Sequence, residues 1–552
     1  MKPFKEAVFY QVWPRSFYDT NHDGIGDLKG IIEKLDYIKS LNVDYIWISP
    51  FYKSPQDDYG YDVSDYYSIQ SEYGTMEDFK QLVAFAKERE IGIICDLVAN
   101  HTSTHHPWFQ EALRNPQSDK RDYYFFRPQR EGYPNNWISI FGGSAWTAVN
   151  DQDYALTLFT PTQADLNWDN PKVREEIKNI MSFWLDMGIA GFRLDVFNTI
   201  SKIEGLISKD PHKKGFQFAD DYILNRPLGQ TYLKDILRSL KHKYDFITIG
   251  EGMLIDQASA QVMCGSADDQ LDMIIHFDLH MLGCGPLGKF DFRKLYYYTN
   301  KDFKHVLRSW NHAAQDKGFH IASTMSNHDQ PRAVSRFGDD TKYRFESAKA
   351  LIAINFFNVG SPFIYQGEEI AMKNMDLPFE EWKDFEAKNT YKALQSMMKV
   401  PSWIAMKIVK KMSRDHARGV MQWNNQKYAG FSDINPWFKT NDDYEAINVQ
   451  IQDNDPHSVL NYTRKLSHIY HDYPVFTQGY WSESEVNHPQ MIVMKRENNT
   501  HCLTLIVNFS KKKTEYKKEN DLGELILNNY DSPNTNNIYR PYECHLYLKT
   551  LK

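Results

Sequence analysis

Four short stretches of the 552-residue chain place acidic side chains at or just beyond apolar runs of strand character: ICDLVANH (94–101), GFRLDV (191–196), TIGEG (248–252) and SNHDQPR (326–332). One Asp after a strand is usually a helix N-cap or a turn residue, and one Glu is often half of a structural ion pair. Four such positions on separate strands make the bland reading improbable for all of them together. In an α/β barrel the C-terminal ends of different strands meet on one face, so carboxyls far apart in sequence converge there. Converging carboxyls are suited to proton transfer and nucleophilic attack. A fifth stretch, Asp19-Thr-Asn21-His-Asp23-Gly-Ile25-Gly-Asp27, puts oxygen donors on alternate residues with glycines for a tight turn. Hard oxygen donors at that spacing suit Ca²⁺, and Asp27 can also cap the helix that follows.

The elements that must position these residues alternate between strands and amphipathic helices. Strand candidates are Ala7–Trp13, Val43–Ser49, Ile91–Val98, Gly191–Val196, Phe246–Gly250, Leu271–Phe277, Phe319–Met325 and Pro362–Tyr365. In one intervening helix Val173, Ile177, Ile180, Met181, Trp184 and Leu185 share a face, with Asn170 as N-cap and Pro171 at the first position. Eight such units predict an α/β fold, a (β/α)8 TIM barrel. The barrel is expected over residues 1–101 and 168–477, with a small domain inserted at 102–167 after strand 3 and a C-terminal all-β domain at 478–552.

Composition narrows the class. With 42% apolar and 25% charged residues the chain reads as soluble and globular. A net charge of −8 with mixed signs disfavours nucleic acid and anionic membranes as partners. No stretch approaches the ~18 apolar residues of a membrane helix, and the first residues lack the apolar core of a signal peptide. Five scattered cysteines form neither a disulfide framework nor a metal pattern. A reduced, cytoplasmic enzyme is expected.

From about Val8 to the C-terminus the chain resembles the α-amylase superfamily (glycoside hydrolase family 13), in its oligo-1,6-glucosidase and trehalose-6-phosphate hydrolase branch. The motifs YQVWPRSFYDTNHDGIGDLKGI, GYDVSDY, DLVANHTS, QADLNW, GFRLDV, GEG, NHDQPR and IYQGEE occur in the family's order. The resemblance implies Asp195 as nucleophile, Glu251 as acid/base and Asp329 as the third carboxylate. Such a pair acts at about 5–5.5 Å with retention of configuration. Arg193, on the same face as Asp195, would keep it ionised. By the same resemblance His101 and His328 bond the first glucose, and Tyr61 is the aromatic platform beneath it. Asp62 with Arg414, or less well Arg418, grips the non-reducing end. Val196 matches members that prefer α-1,6 bonds. The loop ion is expected to be structural Ca²⁺ on Asp19, Asn21, Asp23, the Ile25 carbonyl and Asp27, with no organic cofactor.

The expected activity is therefore hydrolysis of terminal α-1,6-linked glucose from short oligosaccharides, by a monomer. Gly252, where the family usually has Met or Thr, is expected to loosen the wall beside Glu251. The rival is trehalose-6-phosphate hydrolase, which NNWISIFGGSAW and the Ala164 of QADLNW favour. Against it, Ile275–Gly288 lacks a basic HHLK-like sequence. Sucrose isomerases are disfavoured because no RLDRD-like segment precedes SNHDQPR. The complete carboxylate set and the lack of a membrane helix disfavour a non-catalytic transporter heavy chain.

Overall fold

The computed structural model describes residues 1–551 except 131, 266, 268, 286–288, 290–296, 397, 520 and 535. The last three residues of the Ile275–Gly288 stretch therefore lie outside the described residues. Eight parallel strands form the centre: β1 (Phe9–Val12), β2 (Tyr45–Ile48), β3 (Gly92–Val98), β4 (Gly191–Asp195), β5 (Ile247–Gly252), β6 (Met273–His276), β7 (Ala322–Ser323) and β8 (Ser361–Tyr365). Their order in the sheet is β6-β5-β4-β3-β2-β1-β8-β7. The ring closes where Ile274 pairs with Ile321 and its N–H donates to His320 O at 3.0 Å.

The strand period of two decides what fills the ring. Its lower interior is an apolar plug that includes Phe9, Tyr45, Trp47, Ile94, Ile249, Ile275 and Phe363, with Phe9 stacked on Phe363 at 4.4 Å. Two residues further along the same faces come Gln11, Asp96 and Glu251, while β4 contributes Arg193 and Asp195. The reactive layer is thus the apolar inward series continued, with polar residues substituted at its top. Outside, helix Pro171–Asp186 buries all six residues of its expected face, and Asn170 caps it by accepting from Lys172 N–H.

The crossing from β3 to β4 carries an eight-residue helix, Pro107–Arg114, and a three-stranded antiparallel sheet of Phe126–Pro128, Asp153–Leu156 and Trp146–Ala148. At its base His101–Ser103 pairs with Gln163–Asp165. Trp137, Trp146, Leu156 and Phe159 from this segment share one apolar cluster with Val196, Leu206, Ala219 and Ile223. The insertion is therefore packed onto the loop that follows β4.

A second excursion, between β8 and helix Val459–Asp472, has no counterpart in the sequence reading. It holds the helices Phe385–Ser396 and Ser402–Lys410 around a core of Met375, Leu377, Trp382, Ile408 and Val409. Its amphipathic helices look like barrel helices from their spacing alone. The C-terminal domain is a five-stranded antiparallel sheet. Its strands are β9 (Tyr480–Ser484), β10 (Met491–Glu497), β11 (His501–Asn508), β12 (Glu524–Asn528) and β13 (Cys544–Thr550), ordered β9-β10-β11-β13-β12. Among the described residues no helix is long and apolar enough to cross a membrane.

Candidate active site

Arg193 stands at the centre of the reactive layer, fully buried. Register places it directly beside Asp96 of β3, to which Nη1 donates at 2.6 Å. The same Nη1 lies 2.9 Å from Asp195 Oδ1, and Nη2 lies 2.5 Å from Glu251 Oε1. The contact to Glu251 is a close, buried ion pair. One guanidinium therefore spans the two carboxyls expected to react.

Burial pushes the Asp195 carboxyl well up. Arg193 opposes this, while Glu251 and Asp96 add to it. Glu251 is likewise raised by burial, against Arg193 and with Asp329 and Asp96. Asp96, Asp195 and Glu251 share a single cation, so ionising one of the reacting pair favours a proton on the other. Asp329 contrasts with both. Burial raises it, but His328, Arg414 and Arg418 outweigh that and hold it well below the usual carboxylate range. Burial keeps His328 neutral, at about 3, so at neutral pH the two arginines supply the depression.

His328, Tyr61 and Asp96 form one hydrogen-bond chain. Gln11 Nε2 donates to His328 Nδ1 at 2.8 Å, which leaves the ring proton on Nε2. That nitrogen meets Tyr61 Oη at 2.6 Å, and Tyr61 O–H donates to Asp96 Oδ2 at 3.1 Å. The Tyr61 and His328 rings are parallel, with centroids 5.3 Å apart. His101 is buried, its Nε2 3.2 Å from Tyr61 O and its ring 5.0 Å from Phe159. Behind it a fully buried Lys202 pairs with Asp165 at 2.8 Å and donates to Asn100 Oδ1. Lys202 and Phe159 were not among the expected site residues, and Asp96, the acid of ICDLVANH, was expected on this face without an assigned role. The signal for Asp96 was present, because an Asp inside an otherwise apolar strand needs a partner.

Asp62 is not paired with Arg414. Its buried carboxylate accepts from Ser54 Oγ (2.7 Å) and from the N–H groups of Asp57 (3.0 Å) and Asp58 (3.1 Å), so it organises its own loop. The left-handed Tyr59 and Gly60 (φ +48° and +106°) turn the chain between Asp58 and Asp62, and Asp58 is the residue that faces Arg414. Arg414 Nη1 lies 3.6 Å from Asp58 and 3.4 Å from Asp329, and its Nε lies 3.4 Å from Asp384. Its guanidinium sits 4.9 Å from the Phe141 ring of the insertion. Arg418 also reaches Asp329, at 3.1 Å, over the rings of Trp13 and Tyr59.

Two further expectations change. Gly252 does not loosen the wall beside Glu251. A Cβ there would meet Ile255 at 2.6 Å, so the buried Ile255 already fills that space. Val196 does not extend the strand: it is left-handed (φ +34°) and 7% exposed, within the cluster shared with the insertion.

The Asp19–Asp27 loop turns tightly at Gly24 (φ +84°), where a Cβ would meet Asn435 O at 2.6 Å. Asp19 accepts from Gly24 N–H and Ser432 Oγ, Asp23 accepts from Ile25 N–H, and Asp27 caps helix Leu28–Glu33 through Gly30 N–H. Among the described residues no three His, Cys, Asp or Glu side chains gather as a ligand set. A cation here would draw on the Asn21 and Ile25 carbonyls as well, and the all-oxygen donor set and loop curvature fit Ca²⁺.

A barrel with this carboxylate face matches the α-amylase catalytic domain over residues 11–479. The chain belongs to the α-amylase family. It is 41% identical to an oligo-1,6-glucosidase of Parageobacillus thermoglucosidasius over 99% of this chain and 98% of that one. An isomaltulose synthase of Klebsiella sp. LX3 superposes with a TM-score of 0.94 at 36% identity, covering 99% of both chains. A trehalose-6-phosphate hydrolase of Bacillus licheniformis superposes with a TM-score of 0.91 at 37% identity, covering all of both.

The family motif IYQGEE supplies one test outside the reacting pair. Glu368 is half-buried, accepting from Ser326 O–H and Tyr365 N–H, and desolvation raises its carboxyl to about 7. Unfolded, it loses its proton near 4.5; folded, near 7. The folded state alone therefore holds that proton between these values, and its stabilising effect is lost as pH rises through 7. Glu368→Gln should flatten the fall in stability between pH 4.5 and 7 by up to ~1.4 kcal/mol per pH unit. Urea melts of both forms across that window check this, and parallel curves would refute it.

Proposed function

We propose that this protein is an exo-acting retaining α-glucosidase that releases terminal α-1,6-linked glucose from isomaltose and short isomalto-oligosaccharides. The observation that carries the mechanism is the single guanidinium of Arg193 lying between Asp195 and Glu251. The linkage is supported by the full-length likeness to oligo-1,6-glucosidases and by the Val after Asp195.

Asp195 attacks the anomeric carbon while Glu251 gives its proton to the departing glycosidic oxygen, leaving a glucosyl ester on Asp195. Glu251, now ionised, takes a proton from water. That water displaces Asp195 from the opposite face, so two inversions give net retention. Arg193 stabilises whichever of the two is ionised. Asp329, kept anionic by Arg414 and Arg418, is placed to bind sugar hydroxyls and favour the positively charged transition state. His101, His328 and Tyr61 line the glucose subsite. Asp58, in the place expected for Asp62, acts with Arg414 to close the non-reducing end, which confines cleavage to single glucose units.

Phosphorylated trehalose remains the second reading, on the strength of the motifs and the solved relative that share it. The charge of the pocket favours a neutral sugar. Lys289 is ion-paired with Glu386 at 3.1 Å, and the carboxyls of Asp58, Asp96, Asp195, Glu251, Asp329 and Asp384 outnumber the arginines among them. Glucose release from isomaltose, maltose, sucrose, trehalose and trehalose 6-phosphate separates the two.

Asp195→Asn and Glu251→Gln should each lower turnover by several orders of magnitude. Glu251→Gln should be partly spared on aryl glucosides, whose leaving groups need little protonation. More than a tenth of wild-type turnover in either variant on isomaltose overturns the assignment.

Ca²⁺ held by Asp19, Asn21, Asp23, Ile25 O and Asp27 would stabilise the fold by binding only the native loop. Chelation, or Asp23→Ala, should then lower Tm while leaving turnover of folded enzyme nearly unchanged. Equal Tm with and without chelator argues against the ion.

Isomaltose should be preferred to maltose by kcat/KM, because an α-1,6 bond has an extra methylene that carries the second ring away from Val196. Val196→Thr or Val196→Ala should move the ratio toward maltose by about 10–200-fold, the range of one pocket contact. A wild-type preference for maltose would sink the α-1,6 assignment and leave the retaining mechanism intact.

A further inference from the structure

The backbone ladder between β4 and β5 stops one residue short of the chemistry. Its last register pair is Leu194 with Gly250, so no strand pairing ties Asp195 to Glu251. The next three residues after Asp195 do so by other means. Val196 takes a left-handed conformation (φ +34°, ψ +43°) that a β-branched residue rarely adopts. Thr199 holds it there, donating to Val196 O from its N–H (3.0 Å) and its hydroxyl (2.8 Å).

The turn directs the two residues that follow against β5, one on each side of Glu251. Phe197 presses its ring on Gly250, where a Cβ would lie 2.8 Å from the ring edge and 2.5 Å from a Leu271 methyl. Asn198 grips the backbone beyond. Its Nδ2 donates to Met253 O at 2.7 Å and its Oδ1 accepts from Met253 N–H at 3.1 Å. Asn225 Oδ1 accepts a second bond from the same Nδ2 at 2.9 Å and fixes the amide's orientation.

We propose that Val196–Asn198 is a clamp that sets the separation of the Asp195 and Glu251 carboxyls, with Asn198 as its positioning residue. Arg193 spans the pair from inside the barrel, but one side chain shared among three carboxyls does not by itself fix the separation of two of them. The clamp acts from outside, on the backbone of the strand that carries Glu251. Tolerance is small, because retaining pairs work near ~5–5.5 Å and inverting pairs at ~6.5–9.5 Å. The left-handed Val196 is held in the apolar cluster that its side chain joins, with Trp137 and Phe159.

The proposal rests on the retaining reading, and the two fail separately. Asn198→Ala and Asn198→Ser are assayed on isomaltose after counting active sites with a slow, mechanism-based fluoroglucoside. Expected per active site is a fall in kcat of about 10–100-fold, the scale of a ~1 Å misplacement. KM should stay within about twofold, since the groups that bind glucose are untouched. The alkaline limb of the kcat/KM–pH profile should also move to lower pH, because the two carboxyls repel as anions and a wider separation weakens the coupling that keeps a proton on the pair. Gly250→Ala, which pushes on the same strand through Phe197, should give the same signature.

A lower Tm with wild-type kcat and an unmoved alkaline limb in the Asn198 variants would mean that Asn198 only stabilises the fold, and overturns the proposal. A fall in kcat with an unmoved limb overturns it too. Neither result touches the retaining reading, which stands or falls with Asp195→Asn.

Discussion

The buried guanidinium of Arg193 is the interaction on which the rest of the site depends. Taking one cation out of water costs several kcal/mol, and only close carboxyls can repay that. Three are supplied, by Asp96, Asp195 and Glu251. Their excess over one cation is what makes the site reactive. A matched pair would be an inert salt bridge, whereas three carboxyls around one cation favour retaining a proton, and the surroundings decide where it rests. An attacking anion and a proton donor side by side are the state that the proposed reaction requires.

Strand order makes this arrangement possible. β4 lies between β3 and β5, so a side chain pointing inward from β4 reaches carboxyls on both neighbours. The apolar plug below excludes water from one side and fixes the height at which the polar layer begins. Above it, each loop adds a group that the strands cannot: Asp58 and Tyr61 after β2, His328 and Asp329 after β7, and Arg414 and Arg418 from the excursion after β8. The insertion after β3 contributes Phe141 and Phe159, which lie against Arg414 and His101. Asp329 keeps its charge because two arginines from one distant loop converge on it. Asp195 and Glu251, without them, have their carboxyls raised by burial.

The amino-acid sequence by itself determined the barrel and its reactive strand ends. Both follow from local periods: two for strands, 3.6 for helices, and acidic residues where an apolar run stops. Helix Pro171–Asp186 buried the six residues its spacing indicated, because a helix face depends on residues within four positions of each other. The same logic marked Asp96, Asp195, Glu251 and Asp329 as candidates, and the family resemblance assigned roles to the last three. Tertiary structure alone decided what each side chain meets. Asp58 and Asp62 are both acidic and four residues apart, and only the left-handed turn at Tyr59 and Gly60 puts Asp58 toward Arg414 and Asp62 into its own loop. Gly252 reads as a gap until Ile255 is seen to fill it, and Val196 reads as the end of a strand until its φ of +34° is known. The helical excursion after β8 has the same apolar spacing as a barrel helix, so its pattern could not show where it docks. Periodicity reports which face of an element is buried, while the partner on that face comes from chain brought back over long separations, and no local pattern encodes it.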